Sequence, residues 1–197
     1  VLDDGFQHRR LYRDFDIVLF DPGEKIALRE PSSSLRRADV LLIKQASEIE
    51  SLKKKGKLIP QISLFNYSVI RKGYFKIGDN KSENAIRFKG KKILAFCGIA
   101  HPERFFALLD KDGIQPISLL KFPDHHSYPS SSVKKILRKF QELRIEIAIT
   151  TEKDAVKIAS IKEFKNLPFY YLKIDLKVEE EFYQKISARL RDTEKSY

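Results

Sequence analysis

The 197-residue sequence predicts an α/β protein on a mostly parallel sheet, and three observations carry that reading. Apolar runs of strand length recur along the chain, the runs are continuous rather than alternating, and helical patterns fall between several of them. Continuous apolar runs belong to strands covered on both faces, and strands alternating with helices belong to βαβ units.

The predicted strands are FDIVLFD (15–21), DVLLIK (39–44), QISLF (61–65), KILAFCG (92–98), QPISLLKF (115–122), IEIAIT (145–150) and PFYYLKI (168–174). The predicted helices are ASEIESLKKKGK (46–57), PERFFALLDKDG (102–113), SSVKKILRKFQELR (131–144) and EKDAVKIASI (152–161). Residues 65–92 break this rhythm with period-two alternation and KG and GDN turn signals, which reads as a hairpin-like antiparallel linker. The predicted organisation is therefore a first α/β segment over 1–64, the linker over 65–92, and a second α/β domain over 93–197. The last pattern, VEEEFYQKISARLRD, is an amphipathic helix with Phe182, Ile186 and Leu190 on one side; it is grouped with the second domain, although it suits either.

Composition bounds the class. With 42% hydrophobic and 11% aromatic residues the chain can bury a core and is not disordered. The single Cys97, inside an apolar run, reads as a buried free thiol and excludes a disulfide framework or a cysteine-built zinc site. No apolar run reaches the roughly 18 to 20 residues of a membrane span. The chain has no Met at all, including at position 1, and is read as a piece of a longer one. Its net charge of +11 is uneven: residues 1–92 carry 20 Lys and Arg against 12 Asp and Glu, and residues 93–197 carry 18 against 15. Such an excess suits a polyanionic partner, which charge alone does not choose.

Four stretches carry chemistry. VLDDGFQHRR (1–10) puts Asp3 and Asp4 at the end of an apolar strand pattern, where carboxylates meet a magnesium-nucleotide, and follows them with Gln7 and His8 as further donors or ligands. LREPSSSLRRAD (28–39) places Arg29 and Glu30 in a loop before a helix start capped by Ser32 or Ser33, suited to phosphate and magnesium respectively. KFPDHHSYPSSS (121–132) carries Asp124, His125 and His126 after a strand; a histidine beside an aspartate suits proton handling, and two adjacent histidines usually point opposite ways. TTEKDAVKI (150–158) follows a strand with a threonine cap, Glu152 and Asp154 in the first helical turn, and Lys153 available to phosphate.

DDGFQHRRL, LREP followed by LRRAD, GI-x-x-PERFF, FPDHH and TEKDAVK occur here in the order they take in the tetraacyldisaccharide 4'-kinase family, which the sequence resembles over nearly its whole length. The resemblance implies a P-loop kinase-like sheet, here partial, hinged to a second α/β domain. It implies transfer of the ATP γ-phosphate, with Mg2+, to the 4'-hydroxyl of a tetraacyldisaccharide 1-phosphate in lipid A biosynthesis at the cytoplasmic face of the bacterial inner membrane. The implied partners are the acylated disaccharide phosphate lipid and an anionic inner-membrane surface, with no nucleic acid and a monomeric state. On the family pattern Asp3, Gln7 and Glu30 fall at the metal. Asp4, beside Asp3 in the family's acidic pair, and His125, assisting an aspartate upstream of this sequence, fall among the catalytic groups; by residue type and place, Asp124 is expected to join them and His8, Arg29 and Lys153 to meet the nucleotide phosphates.

The sequence contains no G-x-x-x-x-G-K-[ST] loop, so the 197 residues by themselves are expected to be inactive. Two rival readings stand: another P-loop kinase or NTPase on a soluble substrate, and a basic non-enzymatic binding module.

Overall fold

The computed structural model describes residues 2, 5–20, 31–44, 61–79 and 81–194. It is an α/β fold with mostly parallel strand pairing and an antiparallel pair. The chain divides into two compact units, Val1–Val69 with Leu176–Tyr197, and Ile70–Asp175.

In the first unit β1 (Ile17–Phe20), β2 (Val40–Ile43) and the start of β3 (Ser63–Lys76) lie parallel in that order. Alternate side chains of β2 enter opposite cores: Leu41 and Ile43 join Phe20, Leu35 and Ile62, while Val40 and Leu42 join Tyr67. That two-sided burial is why the run reads as continuously apolar. The last helix of the chain (Glu180–Glu194) belongs to this unit, not to 93–175, because Phe182 packs against Val40, Leu42 and Tyr67, with its ring 5.7 Å from that of Phe65.

The second unit holds β5 (Ile93–Cys97), β6 (Ser118–Lys121), β7 (Ile147–Thr151) and β8 (Phe169–Val178), parallel in the spatial order β6-β5-β7-β8. Helix α1 (Pro102–Lys111) covers one face through Phe105 and Leu109 against Ile93, Ala95 and Cys97. Helices α2 (Ser130–Glu142) and α3 (Glu152–Ile158) cover the other through Val133, Ile136 and Ile158 against Leu94 and Phe96. The terminal helix is therefore α4.

The expected linker is only in part a hairpin. Strand β3 runs on to Lys76, and the antiparallel return, β4, is the two residues Ser82–Glu83, followed by a 3-10 turn at Ala85–Phe88. Tyr74 and Phe88, both 1% exposed, bury this segment in the core under α1, so 70–92 is part of the second unit. The helix expected over 46–57 lies outside the described residues. Ser32–Arg37 forms a 3-10 helix whose N-cap is Pro31 without a side-chain cap bond, in place of the expected Ser32 or Ser33 cap.

Candidate functional site

In the second unit the chain leaves β5 for α1 on one face and leaves β7 for α3 on the other. Neighbouring strands whose connections depart to opposite faces open a crevice at their carboxyl ends, the usual ligand position in such sheets. Gly98, the segment 122–129 after β6, and Thr151 lie at these ends.

The segment 122–129 is held in an uncommon conformation. His125 and Tyr128 have φ of 58° and 55°, left-handed values that non-glycine residues adopt only where the surroundings impose them. Tyr128 is 3% exposed and packs edge-on against Phe96, Phe122 and His126. Burial first, and then the neighbouring Asp154 carboxylate, raise its phenol above the ordinary value. The His126 ring stacks on Phe122 and its Nε2 meets Ser132 Oγ at 2.7 Å. The His126 N–H donates to the Pro123 carbonyl, and its own carbonyl accepts from Lys157 Nζ at 2.9 Å.

His125 is turned the other way, with its side chain 77% exposed. Its N–H donates to Asp124 Oδ1 at 2.9 Å, and Lys153 Nζ reaches Asp124 Oδ1 at 3.2 Å and His125 Nε2 at 3.5 Å. His125 Nε2 therefore stands between the Lys153 ammonium and, at 3.7 Å, Asp124 Oδ2, with its donor or acceptor role set by the tautomer of the ring. Desolvation works against the Asp124 carboxylate, but the Lys153 ammonium and the His125 N–H outweigh it and hold the carboxyl below its usual range.

Beneath this cluster, Asp154 is fully buried. Its Oδ2 accepts the Gly98 N–H at 2.9 Å and the Thr151 hydroxyl at 2.7 Å, while the Asp154 N–H donates back to Thr151 Oγ1. A Cβ at Gly98 would stand 2.9 Å from His126 Cβ and 3.2 Å from both Asp154 Oδ1 and the Pro123 carbonyl, so only glycine lets the loop close on the end of β5.

A family model described as tetraacyldisaccharide-1-P 4'-kinase (LpxK) matches residues 1–191. The chain belongs to this family. It is 34% identical to the tetraacyldisaccharide 4'-kinase of Koribacter versatilis, over 90% of this chain and 52% of that protein. It is 35% identical to the Halothermothrix orenii protein of the same name, over 89% and 53%. Among solved structures, LpxK from Aquifex aeolicus in complex with ATP superposes with a TM-score of 0.62 at 25% identity, over 95% of this chain and 55% of that one. The chain thus spans about half the length of the tetraacyldisaccharide 4'-kinases it matches.

Of the residues that the sequence singled out, Asp124, His125 and Lys153 converge in one cluster. Gln7 and His8 are exposed in the first unit, Gln7 closing a 3-10 turn (Gly5–Gln7) and His8 following it. That turn is joined to LRRAD by Arg37, which lies over the Phe6 ring at 4.4 Å and donates to the Phe6 carbonyl at 3.4 Å. Asp3, Asp4, Arg29 and Glu30 lie outside the described residues. Sequence reasoning missed the roles of Gly98, Ser132, Asp154 and Lys157. Asp154 was visible as the fourth residue of T-x-x-D, but a first-turn acid accounts for that pattern equally well.

Proposed function

We propose that this chain serves ATP-dependent phosphorylation of the 4'-hydroxyl of tetraacyldisaccharide 1-phosphate, as the names of its relatives describe for them. The observation that carries the reading is the Asp124–His125–Lys153 cluster at the strand ends of a chain of this family. His125, exposed and beside both Asp124 and Lys153, assists removal of the 4'-hydroxyl proton. Asp124 orients His125 through its backbone N–H, and Lys153 offers an ammonium to a phosphate oxygen.

Magnesium fits the chemistry of the donor set, the carboxylates of Asp3 and Glu30 with the Gln7 amide oxygen, since this ion takes oxygen ligands. Gln7 presents its exposed side chain from the Gly5–Gln7 turn. Among the described residues no group of three His, Cys, Asp or Glu side chains could hold a metal ion, and the assignment of Asp3, Gln7 and Glu30 as the holding residues follows the family pattern. When bound, the ion supplies charge neutralisation on the terminal phosphates of ATP. Asp4, next to Asp3 in the sequence, is assigned to the catalytic groups, and His8 and Arg29 to further phosphate contacts.

An anionic inner-membrane surface suits the basic balance of the chain. No helix among the described residues is long and apolar enough to cross a membrane. We propose a monomer at the cytoplasmic face of the inner membrane, whether peripheral or anchored.

The test is transfer of labelled phosphate from ATP to tetraacyldisaccharide 1-phosphate in detergent micelles by the product of the natural gene, with soluble sugars assayed in parallel. Magnesium-dependent labelling of the lipid alone supports the reading. Labelling of soluble sugars alone, or of nothing, overturns it. The isolated 197 residues are expected to be inactive for want of a phosphate-cradling loop.

A further inference from the structure

Asp154 does more than a helix start requires. The α3 N-terminus is already capped by Thr151 Oγ1, which accepts the Asp154 N–H. Burying a carboxylate is costly unless its oxygens are engaged, and Asp154 is 0% exposed. Its Oδ2 binds the N–H of Gly98, 56 residues away on the neighbouring strand end, together with the Thr151 hydroxyl. Its Oδ1 accepts no hydrogen bond among the described residues and has the Lys157 ammonium, one turn along α3, at 3.8 Å as its ion-pair partner. Lys157 in turn donates to the His126 carbonyl at 2.9 Å, directly after the left-handed residue His125. Lys153, from the same short helix, holds Asp124 at 3.2 Å. A single buried carboxylate thus joins the ends of β5 and β7 and, through Lys157, the backbone that carries His125.

We propose that Asp154 is a positioning residue: with Lys157 it fixes the backbone of residues 122–129 and so the place of His125, without touching a reactant. The proposal rests on the reading that His125 serves phosphoryl transfer. A left-handed residue persists only where its surroundings over-determine it, and the Lys157 bond to the His126 carbonyl is one of those determinants. Asp154→Asn keeps the shape of the side chain and removes the charge that faces Lys157.

The test compares Asp154→Asn, Lys157→Met and Ile136→Val in the natural gene product. Ile136→Val trims a methyl group of α2 from the core cluster that also holds Phe122 and Tyr128, alters no side-chain hydrogen bond, and serves as a destabilised control. For Asp154→Asn, kcat for lipid phosphorylation is expected to fall about 10²-fold with the KM for ATP unchanged, the scale on which misplacing a catalytic group acts. Hydrogen exchange should rise in 122–129 and stay unchanged across 130–142. Lys157→Met should reproduce both effects more weakly, and it keeps the proposal open to refutation if the Asn variant does not fold. Ile136→Val should lower the melting temperature and do neither.

A kcat loss no greater than that of Ile136→Val, or exchange that rises evenly across the second unit, overturns the proposal. If the parent protein transfers no phosphate, the functional reading falls by itself, and the exchange pattern alone decides whether Asp154 positions the segment.

Discussion

The ring of His126 lies flat on that of Phe122, the centroids 4.7 Å apart and the planes 12° from parallel, while His125, one residue earlier, extends a largely exposed side chain beside Lys153. The two histidines therefore fail differently when truncated. His125→Ala should lower turnover of the natural gene product about 10²-fold, the usual scale for a group that handles a proton, and leave the urea midpoint where it was. His126→Ala removes the Ser132 partner and the stack, and should cost about 1 to 3 kcal/mol of stability. Paired activity and urea measurements check both. An unchanged rate for His125→Ala removes it from the mechanism.

Gly98→Ala inserts a methyl group where three neighbours already stand within 3.2 Å, two of them fixed by the Asp154 bonds and the 122–129 backbone. Overpacking of this kind costs about 1 to 3 kcal/mol. Equilibrium urea unfolding should show the midpoint falling at unchanged slope, and a midpoint equal to the parent's would mean the loop shifts aside freely.

Cys97 ends β5 with no exposed surface. Burial first, and then the nearby Asp154 carboxylate, push its thiol up to about 12. The thiolate is the reactive form, so iodoacetamide at pH 8 should leave the folded protein unmodified and label it fully once urea unfolds it. Rapid labelling of the folded protein would contradict this burial.

Acid should destabilise the second unit. The Lys91 ammonium and the Lys92 N–H draw the Glu146 carboxyl below its ordinary value, Asp124 is lowered by Lys153 and His125 despite desolvation, and Glu103 is lowered by its own backbone N–H. Each folded-state value lies below the unfolded one, so the unfolded chain binds more protons in the window between them. The contribution is complete above the ordinary carboxylate range and is lost as pH falls through the lowered values. Melting temperature should be flat near neutrality and decline below about pH 4.5, where unperturbed carboxylates titrate. Lys91→Met should weaken that decline, and an identical acid profile would refute the Glu146 contribution.

The strands were legible in the sequence because their burial is two-sided: Val40 and Leu42 serve one core, Leu41 and Ile43 the other, so no polar residue interrupts the run. Cys97 was legible for the same reason. The extent of β3 was not, because the alternation that suggests a solvated hairpin also describes a strand whose Tyr67 and Tyr74 are buried while Ser68 and Arg71 are not. The position of α4 depends on Phe182 meeting residues more than a hundred positions away, which periodicity does not report. In the candidate site, Asp124, His125 and Lys153 could be picked out by residue type. Asp154 could not, since its second role is a bond to a glycine N–H on another strand.

The second unit is inserted in the first: the chain enters it along β3 at Ile70 and leaves it along β8 at Asp175, and Lys72 and Asp175 stand 3.6 Å apart where those passages run. On the ribosome this arrangement sets an order of assembly. Residues 70–175 emerge as one uninterrupted stretch and can fold as a unit while the ribosome is still making Leu176 onward. The core around Val40 and Tyr67 must wait for Val178 and Phe182 to arrive, so the packing that these earlier residues begin is completed only after the second unit has been made.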